Sequence, residues 1–111
     1  MPVYDTFQIS VRPAGPASCR VTVAGDLDVA SAPSMRDALQ AAVADHESIE
    51  LDCAGLTFVD CCGLSALLAA ARMANAYGIE LHLLAVPHSL ARLLRLSHTG
   101  SAFAIDRPSV P

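Results

Sequence analysis

The residues with most chemistry to offer are crowded into one stretch. Asp60-Cys61-Cys62-Gly63-Leu64-Ser65 brings a carboxylate, two thiols and a hydroxyl together. Thiols near a helix start sit where cysteines become reactive, so a redox role is one reading of Cys61 and Cys62. The other is that each is a small residue packing a tight turn, as free cysteine often does. A bridge between them would be strained, since neighbouring Cα atoms lie about 3.8 Å apart against roughly 4.4–6.8 Å in ordinary disulfides. Cys19, Cys53, Cys61 and Cys62 lack the CxxC spacing of a zinc or thioredoxin-like site. Asp26, Asp28 and Asp60 could in principle form an acid–base or Mg²⁺ cluster, but each also stands where turns and helix caps use aspartate. His46, His82, His88 and His98 show no triad or metal spacing and read as surface residues. A thiol hydrolase built from Cys and His needs a cleft, for which 111 residues with helices on one face leave little room. No catalytic centre, metal or cofactor is expected.

The elements that must position this stretch are readable from periodicity. Phe7, Ile9 and Val11 alternate with Gln8, Ser10 and Arg12, and Cys19, Val21 and Val23 with Arg20, Thr22 and Ala24. Ile49, Leu51 and Cys53 alternate with Glu50 and Asp52, and Ile79, Leu81 and Leu83 with Glu80 and His82. A period of two with one polar side predicts a sheet covered on one face and wet on the other. Arg20, Thr22, Glu50, Asp52, Glu80 and His82 should therefore line the open face.

Between the strands the period becomes helical. Met35, Ala38, Leu39, Ala42 and Val43 make one apolar stripe, entered at Ser31-Ala32-Pro33 with a hydroxyl suited to an N-cap. Leu64, Leu67, Leu68, Ala71 and optionally Asn75 make a second, preceded by Asp60 as N-cap and ending near Gly78. Pro87 opens a third with Leu90, Leu93, Leu94 and optionally Ser97; beyond Gly100 come a short apolar stretch, Ala102 to Ile105, and a tail at Arg107-Pro108. The turn-rich segment Arg12–Ala17 predicts an antiparallel hairpin, and the later alternation of strand and helix predicts parallel strands with right-handed crossovers. The expected fold is α/β, a mixed four- to five-stranded sheet with helices on one face, in a single domain over residues 1–111.

Composition narrows the partners. Apolar residues make up 53% of the chain and charged ones 16%, below the roughly 25% usual in globular proteins. Disorder is excluded, and some apolar surface must remain exposed, which favours a protein partner. A net charge of −4, with seven basic residues that are all Arg, argues against nucleic-acid binding. The start, Met1-Pro2-Val3-Tyr4-Asp5, has no basic or apolar leader pattern, and the longest apolar run, Gly63 to Ala71, is far short of the roughly 20 residues that span a bilayer. A reducing cytoplasm and no membrane insertion are expected.

The segments Val23-Ala24-Gly25-Asp26-Leu27-Asp28-Val29-Ala30-Ser31-Ala32-Pro33, Leu51-Asp52, Gly55-Leu56-Thr57-Phe58-Val59-Asp60 and Gly63-Leu64 resemble, in order and register, stand-alone STAS domains of the anti-anti-sigma factor (anti-sigma factor antagonist) family. They match that family's G-x-L-D segment, the A/T-A-P after it, and its D-S-S/x-G-L loop. The resemblance implies a STAS fold and a protein without catalysis that binds an anti-sigma factor, often a serine kinase of the ATPase type, and so frees a sigma factor. It also implies a partner-binding surface of Asp28, Asp60, Cys61, Cys62, Gly63 and Ser65, with a homodimer compatible with it. In the family a kinase commonly phosphorylates a serine of that loop, and the added charge ends the contact. Here Cys62 stands at the phosphoacceptor position, and a thiol is no substrate for a serine kinase. Ser65 follows one helical turn later, with its hydroxyl expected to point away from the loop. Two alternatives stay open: an accessory subunit of a membrane transport complex, and a redox-sensing variant of the antagonist.

Overall fold

Alternation builds the sheet where it was predicted, and backbone irregularities carry it further. The computed structural model describes residues 7–100 and 103–105; of the expected terminal features, Ala102 and the Arg107-Pro108 tail lie outside them. Strands β1 (Phe7–Gly15) and β2 (Ser18–Leu27) pair antiparallel, from Phe7 opposite Gly25 to Gly15 opposite Ser18. The hairpin joint is therefore the tight turn at Pro16-Ala17, and most of the expected Arg12–Ala17 loop is strand. Pro13 is tolerated there because β1 is an edge strand, and the register shifts beside it, between Pro13 and Gly15.

Helix α1 (Ala32–Asp45) leads to β3 (Ser48–Val59), α2 (Cys61–Ala76) to β4 (Glu80–Leu84), and α3 (His88–Ser97) to the short β5 (Ala104–Ile105). The sheet order is β1-β2-β3-β4-β5, with every pair after the hairpin parallel. Both β2 and β3 outrun their simple alternation. The β2–β3 register shifts between Thr22 and Ala24 and again between Gly25 and Asp26, which changes the phase so that Leu56 and Val59 follow Cys53 into the core. Gly25–Leu27 and Leu56–Val59, which lie beyond the residues whose alternation predicts strand, are in consequence strand ends.

The covered face is assembled as the periodicity predicted. Val21, Val23, Ile49, Leu51, Leu81 and Leu83 are buried beneath Leu39 of α1, Leu67 of α2 and Leu90 and Leu94 of α3 in one cluster. Each such leucine contributes about 1.5–3 kcal/mol on burial. Arg20, Thr22 and Glu80 on the other face are exposed, and Glu50, Asp52 and His82 half-buried. There Arg20 forms an ion pair with Glu50, its direct cross-strand neighbour, at 2.9 Å. Val11, at the edge strand, is 49% exposed because the helices pack on β2, β3 and β4. On α2 the buried stripe runs through Leu64, Leu67, Ala70, Ala71 and Ala74; Leu68 is half-buried, while Asn75 and Ser97 are exposed. Gly78, at φ +69°, ends α2 in the left-handed conformation that glycine adopts freely. The Ile79 amide then closes onto the Ala74 carbonyl at 2.8 Å, a Schellman closure.

Candidate functional site

At one end of the sheet, β2 and β3 deliver their chains into the first turns of α1 and α2. Asp60, the N-cap of α2, has extended backbone, and its Oδ1 accepts a 2.9 Å bond from the Gly63 amide, satisfying one of the orphan donors of the helix start. The Asp60 amide donates to the Leu27 carbonyl at 3.2 Å, tying the turn to the end of β2. Gly63 fits the remaining gap: a Cβ there would run into the Leu27 carbonyl and side chain. The turn is thus clamped from behind, and Cys61 and Cys62 at its tip are exposed, free thiols.

The neighbouring turn into α1 departs from expectation. Ser31 occupies the N-cap position but makes no side-chain cap bond. Its hydroxyl instead donates to the Asp26 carbonyl at 2.8 Å and accepts from the Asp28 amide at 2.9 Å, and the residue is buried. Before the helix, the Asp28 Oδ1 accepts from the amides of Ala30 at 3.0 Å and Ser31 at 3.2 Å, closing the turn that leads into α1. Asp26 is occupied too, accepting the Thr57 hydroxyl at 2.8 Å. The three aspartates therefore each serve local turn or cross-strand chemistry. Among the described residues no group of three or more His, Cys, Asp or Glu is arranged to hold a metal.

The two turns flank an open groove of about 370 Å³, lined by Val29, Ala32, Pro33 and Arg36 on one side and by Cys61, Cys62 and Ser65 on the other. Ser65 corrects its expectation: a residue four after Cys61 lies on the same helical face, so it shares the groove with the thiols. Sequence reasoning missed Val29, 69% exposed, and Phe58, 51% exposed, the apolar residues beside these turns. It also missed Arg36, although Ala32, Pro33 and Arg36 recur at helical spacing. Cys19 and Cys53 lie in the core, where burial raises both thiol pKa values; that of Cys53 reaches about 12, with the neighbouring Asp52 charge as the smaller cause. His46 caps α1 by a 3.0 Å contact with the Ala42 carbonyl, and His82 meets Glu80 at 2.7 Å on the open face. His88 and His98 are exposed, as read from the sequence.

The family model described as "Mlab, STAS domain" matches residues 11–101. The chain belongs to the STAS domain family. Among solved structures this STAS domain is similar to an anti-sigma factor antagonist from Mycobacterium paratuberculosis, at 20% identity, covering 98% of this chain and 92% of that one with a TM-score of 0.77. It is similar to the anti-sigma factor antagonist SpoIIAA in its unphosphorylated form, at 17% identity over 90% of this chain and 89% of that one, TM-score 0.75. A sulfate transporter family protein from Wolinella succinogenes matches at 15% identity over 85% of this chain and 80% of that one, TM-score 0.73. At such identities the likeness is one of fold. No curated protein matches the chain. Among the described residues of this STAS domain, no helix is long and apolar enough to cross a membrane.

Proposed function

We propose that this STAS domain is an anti-sigma factor antagonist, docking a kinase-like anti-sigma factor in the cytoplasm and so releasing a sigma factor. One observation carries the reading: the Asp60–Gly63 turn, matched by sequence to the family's phosphoacceptor loop, is clamped against β2, presents two exposed side chains, and borders a groove with Val29 beside it. A rigid, partly apolar surface of this kind loses little conformational freedom when it binds. Asp28, Asp60, Cys61, Cys62, Gly63 and Ser65 form its centre, with Asp28 and Asp60 holding the two turns and the others facing or spacing the partner. The domain acts by occupying its partner and has no catalytic role. Because Cys62 has no hydroxyl, a serine kinase leaves that position unmodified, and Cys62→Ser would restore an acceptor there.

A second reading has its own support. The family model's description names Mlab, and one structural neighbour is a sulfate transporter family protein, so a subunit docked on a membrane transport complex is the competing function. Copurification from native cells separates the two. An ATPase-type serine kinase bound to the tagged domain supports sigma control; a transporter ATPase in its place overturns it.

A further inference from the structure

The open face of the sheet, opposite the helices, has its charges sorted by strand over its regular part, before the β2–β3 register shifts. The basic residues there are Arg12 of β1 and Arg20 of β2, and the acidic ones Glu50 and Asp52 of β3 and Glu80 of β4. Register aligns Arg12, Arg20, Glu50 and His82 in one row across the strands. Asp26 lies beyond the shifts and accepts the Thr57 hydroxyl at 2.8 Å. Compensation within the chain is incomplete. Arg20 pairs with Glu50 at 2.9 Å and His82 meets Glu80 at 2.7 Å, but Arg12 and Asp52 form no ion pair among the described residues. Arg12 instead stands directly opposite Arg20, a like-charge cross-strand pair that costs stability. A shallow concavity of about 690 Å³ crosses this face from Ser10 and Arg12 to Glu50 and Asp52.

We propose that the open face is a self-association surface for a second copy of this chain, the basic strands of one copy lying over the acidic strands of the other. A two-fold axis that stacks two sheets face to face lies in the plane between them, along the strands or across them. Across the strands, basic strands would meet basic strands and acidic ones acidic. Along the strands, between β2 and β3, Arg20 lies over Glu50 of the partner subunit and Glu50 over the partner's Arg20. Arg12 then lies over the partner's β4, which carries Glu80 and His82, and gains the acidic neighbour it lacks in the single chain. Strands of the two sheets run in the same direction in this arrangement, the aligned packing that twisted sheets favour. A chain of net charge −4 repels its own copies, so association needs a face on which opposite charges meet, and this face offers one. It points away from α1 and α2, so the dimer leaves both Asp60–Gly63 turns open. On the antagonist reading the dimer is therefore bivalent; the association itself does not rest on that reading.

Sedimentation of the full chain, up to about 1 mM and in about 50 and 500 mM salt, tests this. A concentration-dependent dimer whose Kd rises at least tenfold at the higher salt is expected, and a monomer throughout overturns the proposal. Charge reversal then locates the contact. Arg20→Glu and Glu50→Arg, with folding checked by circular dichroism, should each be monomeric, because each sets like charges against like. Mixed in equal amounts they should form a one-to-one dimer, since each supplies the charge that the other lacks. The double variant Arg20→Glu/Glu50→Arg keeps the internal ion pair and decides the matter should a single variant fail to fold. It should dimerise with itself and refuse the tagged wild-type chain. A dimer that ignores salt and survives both single reversals, or a double variant that pairs freely with wild type, overturns the proposal and moves the contact elsewhere, the outer edge of β1 included. None of these measurements uses an anti-sigma factor, so capture of a transporter ATPase would remove the antagonist reading and leave this result standing.

Discussion

Two pairs of cysteines divide this small domain. Cys19 and Cys53 sit on the covered face of β2 and β3, fully buried, in positions where alternation demands an apolar side chain. Cys61 and Cys62 sit at the tip of a clamped turn and are exposed. The first pair acts as small hydrophobes, whose thiols burial pushes up in pKa. The second belongs to a surface whose backbone is fixed by Asp60 and Gly63, leaving the side chains free to vary. Backbone clamping and side-chain exposure together mark the candidate site, more than the identity of the cysteines themselves.

Substituting across that divide should give opposite results. Cys53→Asp places a carboxylate in the core without a partner and should cost more than about 4 kcal/mol, enough to unfold much of the population in a urea titration. Next in size is an alkaline effect. The Cys53 thiol rises from its ordinary 9.0 to about 12 in the folded chain, so above pH 9 the unfolded state loses its proton first. Stability is then full below about pH 9 and falls as pH rises, by about 3 kcal/mol near pH 11 from this group. Cys53→Ala should flatten that slope in denaturation curves taken across the alkaline range, whereas Cys62→Ala should leave it in place.

Smaller effects belong to the turn. Asp60→Ala removes the cap to the Gly63 amide and should cost about 1 kcal/mol, a thermal shift of a few degrees, while Asp60→Asn retains most of the bond. Cys62→Asp should cost nothing and gain roughly 0.3–1 kcal/mol, because a carboxylate in the first turn of α2 meets the positive end of the helix dipole. A Cys62→Asp variant that melts as early as Asp60→Ala would break the comparison.

How much of this was legible in the chain depends on the kind of force involved. The strand cores around Val21, Leu51 and Leu83 and the stripe from Met35 to Val43 follow from burial periodicity alone, and the structure keeps them. Asp60 was legible as a cap because the residues after it read unambiguously as a helix. Ser31 was not: its hydroxyl had two local partners on offer, and the Asp26 carbonyl with the Asp28 amide won over the helix start. The late strand ends were hidden because bulges shift the phase, turning the Leu56–Val59 spacing into something that alternation does not describe. Phe58 and Val29 were passed over since an exposed apolar residue is visible only once the cover is known.

On the proposed reading, an anti-sigma factor binds through the clamped turn at the start of α2. Calorimetric titration of that partner with the wild-type chain, Cys62→Asp and Asp28→Arg tests it most directly. The Cys62→Asp variant is the decisive one, since it adds charge at the tip of the turn without cost to the fold. A rise in Kd of at least tenfold, about 1.4 kcal/mol, is predicted for each variant. Unchanged affinity for both, with both folded, would rule out the turn as the docking surface.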